Sequence, residues 1–137
     1  MKAIVNTTLI LSEGMLRDGV LLTDGGRIAG FGRAGETAIP EGCEKIDAGG
    51  LYTGPGFVDI HTHGGGGCWF HEEPEKAAAH FLSRGETFIL PALYFNLTFE
   101  EYLSGIKKIR RAIKNANGAG RAIGGINMEG PYLNPKY

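Results

Sequence analysis

Two histidines stand two residues apart in Pro55-Gly56-Phe57-Val58-Asp59-Ile60-His61-Thr62-His63, and the glycines Gly64 to Gly67 follow them. The apolar run Gly56 to Ile60 predicts a short β-strand that delivers both imidazoles at its end. Side chains alternate faces along a strand, so residues two apart point the same way. His61 and His63 can therefore close on one metal ion. A His-x-His pair alone is a weak pattern. At the end of an apolar strand, behind Pro-Gly and ahead of glycines that leave room close to the backbone, it predicts a metal site. Asp59, two residues before His61, is expected to sit beneath the pair as a hydrogen-bonding support rather than a ligand.

A second segment, Asn127-Met128-Glu129-Gly130-Pro131-Tyr132, narrows the reading. The His-x-His segment resembles the first barrel strand of the amidohydrolase superfamily of metal-dependent hydrolases. Asn127 to Tyr132 resembles the Glu-Gly-Pro motif of the N-acetylglucosamine-6-phosphate deacetylases within it. The likeness runs from about Val5 to Tyr137 and corresponds to the N-terminal part of such an enzyme. It implies a metal centre of His61, His63 and Glu129, with Glu129 bridging where two ions are held. The implied ion is divalent, zinc first, with iron as another candidate. Two imidazoles and a carboxylate suit a catalytic zinc, which lowers the pKa of water to ~7 and polarises an amide carbonyl. The implied reaction is deacetylation of N-acetylglucosamine 6-phosphate to glucosamine 6-phosphate and acetate, by a homodimer when complete. The general acid–base Asp and two further histidines belong to later strands, beyond residue 137. No catalytic proton carrier is therefore expected in this chain, and alone it is expected to be inactive. Many relatives carry His where Asn127 stands, a departure assigned to local packing and specificity. Two alternatives remain: another amidohydrolase of the dihydroorotase or hydantoinase type, and a non-catalytic piece of a split protein. The first commonly uses a carboxylated lysine where Glu129 stands.

The elements that must position these residues fall into two parts. Residues 1–53 read as β structure: two β-prone pieces in Lys2 to Leu11, then a hairpin of Gly19 to Thr23 and Arg27 to Phe31 turned by Asp24-Gly25-Gly26. This layout suits a small β-sandwich or barrel segment. Residues 54–137 alternate strand and helix. Gly56 to Ile60 is followed by a helix, Pro74 to Ser83, with Pro at an early position and Gly85 as a stop. Thr87 to Leu93 reads as a buried parallel strand. Thr98 and Glu101 form a capping box ahead of a helix with Tyr102, Leu103, Ile106, Ile109 and Ile113 on one face. Asn117-Gly118 ends it, and Ala122 to Asn127 is the third strand. The expected fold class is α/β: about three strands opening a (β/α)8 TIM-type barrel, preceded by the β-sandwich segment, and incomplete. The pattern predicts a part of a longer polypeptide, or a chain completed by others, because a third strand left bare is an aggregation edge.

A net charge of −1 with 21% charged residues gives no reason to expect nucleic acid or an anionic membrane as partner. No apolar run approaches the ~20 residues that span a bilayer, and the N-terminus is a poor signal peptide. Cys43 and Cys68 are too few for a disulfide framework, which favours a reducing, cytoplasmic setting. His71 and His80 read as surface or helix-face residues, and Cys68 beside Trp69 as packing. Glu72, Glu73 and Glu75 suit the positive end of a helix. Lys107, Lys108, Arg110, Arg111 and Lys114 read as a solvated helix surface. Gly64 to Gly67 form either a flexible loop or a wall of the site.

Overall fold

The computed structural model describes residues 1–115, 117–130, 133–134 and 136. It divides into two compact units, Met1–Pro55 and Gly56–Tyr137.

The first unit is a five-stranded sheet built around β1 (Lys2–Leu11). One side of β1 pairs antiparallel with β2 (Gly14–Asp24), which pairs antiparallel with β3 (Arg27–Arg33). The other side runs parallel to β4 (Glu44–Asp47) and to the short β5 (Tyr52–Thr53). The two pieces expected in Lys2 to Leu11 form one strand, bent at Asn6, where φ is +53° and the register to β2 slips. Asn tolerates this left-handed conformation better than most residues. The β2–β3 hairpin also differs in detail from expectation. Asp24 is the last paired residue, opposite Arg27. The positive φ angles of the turn, +52° and +78°, lie on Gly25 and Gly26, where they cost no Cβ clash. Ala3, Val20 and Leu22 make a small core with Val5, Ile39 and Cys43. The buried Thr7 hydroxyl donates to the Leu51 carbonyl at 2.7 Å and lies 2.8 Å from the Thr53 hydroxyl.

The second unit begins with β6 (Phe57–Thr62), β7 (Gly64–Gly65), β8 (Cys68–Trp69) and α1 (Pro74–Leu82). It continues with β9 (Glu86–Leu93), α2 (Phe99–Lys114), a 3-10 turn at Ala119–Ala122 and β10 (Asn127–Met128). β9 lies between β6 and β10, parallel to both. The architecture is thus mixed α/β. Pro74 opens α1, and Gly85 at φ +88° follows its end. The Thr98 capping box is present: its hydroxyl accepts from Glu101 N–H at 3.3 Å, and its own N–H donates to the Glu101 carboxylate at 2.8 Å. Tyr102, Gly105, Ile109 and Ala112 form the buried stripe of α2. Ile106 and Ile113 pack along its border. Leu103 departs from expectation and is 41% exposed, because it sits about 100° around the helix from Tyr102.

The third strand is shorter than the expected Ala122 to Asn127. Ala122 closes a 3-10 turn, Ile123 makes an isolated parallel bridge to Ile89, and the ladder resumes at Asn127 opposite Ala92. Four steps from Ile123 to Asn127 run beside three from Ile89 to Ala92, so the segment through Gly124-Gly125 bulges. β9 is also covered less evenly than expected. Ile89, Pro91, Ala92 and Leu93 are buried, whereas Thr87 and Phe88 are exposed. Phe70, Ile89, Leu93 and Ile109 are the large side chains at the centre of this core. Among the described residues no helix is long and apolar enough to cross a membrane.

Candidate metal centre

β6 and β10 flank β9 and end on the same side, as parallel strands must. His61 lies in β6, His63 directly after it, and Glu129 directly after β10. Glu129 Oε2 stands 3.5 Å from His61 Nε2 and 3.2 Å from His63 Nε2. One ligand atom from each of the three residues falls within 4.8 Å of the others. The imidazoles meet nearly at right angles, with centroids 5.5 Å apart. All three residues singled out in the sequence are brought to one place.

Each is held by neighbours, and for His63 and Glu129 the sequence did not reveal them. His63 Nδ1 lies 3.0 Å from the Ala92 carbonyl on β9. A carbonyl only accepts, so Nδ1 carries the proton and Nε2 presents a lone pair toward Glu129. The Asp59 carboxylate accepts from the His61 backbone N–H at 2.9 Å, the supporting part expected of it. Tyr102 reaches up from α2, and its hydroxyl lies 3.1 Å from the Leu93 carbonyl and 3.2 Å from that of Glu129. Burial, and secondarily the Glu129 charge, push the Tyr102 hydroxyl above its ordinary pKa. It therefore remains a donor to both strand ends. The Glu129 N–H adds a bond to Leu93 O at 3.3 Å.

The donor set fits a metal ion on two counts. Glu129 Oε2 is buried and has no hydrogen-bond donor, a costly state for a carboxylate oxygen. It faces the bare nitrogen of His63, so two acceptors stand 3.2 Å apart with nothing positive between them. A cation there would satisfy both. The two carboxylate–imidazole distances, 3.5 and 3.2 Å, agree as well, since tetrahedral bonds of about 2.1 Å place ligand atoms about 3.4 Å apart.

The glycines after His63 shape the site. β7 and β8 pair as a small antiparallel hairpin turned at Gly66 and Gly67, with φ of +63° and +78°. His61, His63, Gly64, Gly65, Cys68 and Trp69 line a cavity of about 590 Å³. Cys68 is buried, as its packing role requires, but Trp69 is 47% exposed at the cavity. Trp69 is backed by Tyr94 and His71, with centroids 6.4 and 5.9 Å away. Tyr94 in turn stands edge-on to His63 at 5.3 Å. The sequence signal for this wall was only that Trp69 follows the glycine run. His71 and His80 stay outside the ligand cluster. Glu75 is more than a helix-end charge, since its carboxylate accepts from the Asn115 side chain at 2.9 Å and from Gly120 N–H at 3.2 Å. The basic residues of α2 are exposed and, among the described residues, form no ion pair. Pro131 and Tyr132 of the second motif lie outside the described residues.

Known proteins share this arrangement of elements. The crystal structure of N-acetylglucosamine-6-phosphate deacetylase from Pasteurella multocida superposes on 98% of the chain with a TM-score of 0.78 and 26% identity. The curated N-acetylglucosamine-6-phosphate deacetylase of Bos taurus is 30% identical over 97 residues, 66% of the chain. The chain is similar to the N-terminal portion of N-acetylglucosamine-6-phosphate deacetylases. It spans 35% of the Pasteurella structure and 23% of the Bos taurus protein. A shorter likeness, 54% identity over 43 residues, is to the imidazolonepropionase of Thermoplasma acidophilum, of which it covers 10%. No family model matches the chain. The deacetylase-like region takes in both β6 and β10, the strands that carry the candidate ligands, since it covers nearly the whole chain.

Proposed function

We propose that this chain is the N-terminal part of a metal-dependent amidohydrolase that removes the acetyl group from N-acetylglucosamine 6-phosphate. The observation that carries the metal is the buried, donor-less Glu129 Oε2 set between two imidazole nitrogens. The superposition of 98% of the chain on part of a deacetylase supports the substrate class. In this reading β6, β9 and β10 are the first three strands of a (β/α)8 barrel, whose active sites sit at the C-terminal strand ends. The first unit is one part of a sandwich, which accounts for the exposed Met15, Ile28 and Phe31 on β2 and β3.

His61, His63 and Glu129 hold the ion, for which zinc is the first candidate. When bound it supplies Lewis acidity toward the amide carbonyl and a nucleophilic water at neutral pH. The chain's own residues do the positioning. Ala92 and Tyr102 fix His63 and the Glu129 backbone, and the β7–β8 hairpin lines one side of the cavity. Trp69 offers a flat apolar face to the carbon skeleton of a sugar ring. The departing amine needs a proton donor, and that group comes from a later strand. The cyclic-amidase alternative is not favoured, since a carboxylate stands at the Glu129 position.

Acetate release from N-acetylglucosamine 6-phosphate tests the reading. The zinc-loaded chain alone is expected to release none. Mixed with the later barrel strands of a deacetylase, it is expected to turn the substrate over. Turnover by the chain alone would contradict the division of labour. A reconstituted, metal-loaded protein that ignores this substrate would overturn the deacetylase assignment.

A further inference from the structure

The sequence assigns Asn127 to local packing and specificity, and the structure places it against a candidate ligand. Its side-chain Nδ2 lies 3.2 Å from the Ile60 carbonyl and 3.4 Å from His61 Nδ1. The carbonyl accepts only, which identifies the atom facing it as the amide nitrogen rather than the oxygen. That nitrogen has two hydrogens. One goes to Ile60 O and the other to His61 Nδ1, which must therefore be the acceptor. In a neutral imidazole the proton then sits on Nε2, which is 3.5 Å from Glu129 Oε2 but outside hydrogen-bond geometry, so that oxygen still lacks a donor. His63 is the reverse case: the Ala92 carbonyl holds its proton on Nδ1 and leaves Nε2 bare. Two backbone carbonyls thus set two histidines in opposite tautomers, one directly and one through Asn127.

We propose that Asn127 makes the two histidines unequal ligands, with His63 and Glu129 ready to bind a divalent ion and His61 held back by the proton on Nε2. For His61 to join, Nε2 loses its proton and Nδ1 gains one, with no change in net charge. The Asn127 amide must then turn its oxygen to Nδ1 and give up the bond to Ile60 O. Partners that orient a ligating imidazole are worth about 10–100-fold in metal affinity, and here the partner opposes binding. This inference rests on the metal site proposed above but not on the deacetylase reaction.

The test uses the chain with zinc alone. Nitrogen NMR of the metal-free chain is expected to show His61 protonated on Nε2 and His63 on Nδ1. The same tautomer at both would overturn the proposal, whether or not metal binds. In zinc titrations His61→Ala is expected to cost less affinity than His63→Ala. Asn127→Asp, which offers Nδ1 an acceptor, is expected to move the His61 proton to Nδ1 and tighten zinc about tenfold. Asn127→Leu removes the opposing donor without adding charge and is expected to tighten it less. In a His61→Ala background the Asn127→Asp gain should vanish. A gain that persists there would be plain charge attraction and would contradict a role through His61. Unchanged or weaker zinc binding by both Asn127 variants would contradict it as well.

Discussion

β6 and β9 run side by side, yet they are built for different tasks. β9 carries none of the candidate ligands and is the most buried strand of its sheet: Ile89, Pro91, Ala92 and Leu93 are all covered. β6 carries His61 and leads to His63, but Phe57, Val58 and Ile60 on it are 70%, 63% and 63% exposed. The central strand supplies stability and the carbonyl that orients His63. The edge strand carries candidate ligands and little of the core. Stability and ligation are therefore separable by mutation, and an uncovered apolar edge of this kind is where further strands would pair.

The largest stability effect is expected where β9 is most buried. Ile89→Ala should cost about 2–5 kcal/mol through lost burial and a residual cavity, enough to remove most of the unit's stability in a denaturant titration. Tyr102→Phe breaks the link between α2 and the ends of β9 and β10. Leu93 O keeps the Glu129 N–H, so the loss falls on the Glu129 carbonyl; it should cost about 1–3 kcal/mol and weaken zinc binding. Because the folded pKa of Tyr102 is raised, its contribution is complete below the ordinary tyrosine pKa and is lost as pH rises through the folded value. Alkaline titration of the wild type against Tyr102→Phe checks that sign: only the wild type should show this added loss. Thr98→Ala should cost about 1 kcal/mol by uncapping α2. Glu101 in the same box has a lowered pKa, through its bonds to the Thr98 backbone and then the Thr98 hydroxyl. Its contribution is thus present above the ordinary glutamate pKa and is lost as pH falls through the lowered one. The smallest effect is expected on the edge strand. Val58→Thr should change stability by less than about 0.5 kcal/mol while reducing self-association in sedimentation. A large loss there would mean that β6 is better buried than its exposure indicates.

The parts of this molecule legible in the sequence were those with local causes. The capping box of α2, the proline start of α1 and the glycine turn of β2–β3 each depend on residues within a few positions. His61 and His63 were legible because two-residue spacing at a strand end has one geometric meaning. Leu103 was misplaced because five apolar residues on a helix do not specify which of them lies at the edge of the stripe; packing against β9 decides it. The third strand was read too long because the 3-10 turn at Ala119–Ala122 and the bulge after Ile123 follow from pairing with β9, a neighbour about thirty residues away. The same limit hid the second layer of the site. Nothing in the local sequence joins Ala92 to His63, Tyr102 to Glu129 or Asn127 to His61.

The most direct test of the metal centre is zinc affinity, measured by competition against a chromophoric chelator, in the wild type and in Glu129→Gln. The substitution keeps the size of the side chain and removes the charge set between the imidazoles. The account predicts zinc binding by the wild type, weakened on the order of 100-fold or more in the variant, with the circular dichroism of the two unchanged. Equal affinity in both proteins would show that the buried carboxylate is not a ligand and would contradict the proposed metal centre.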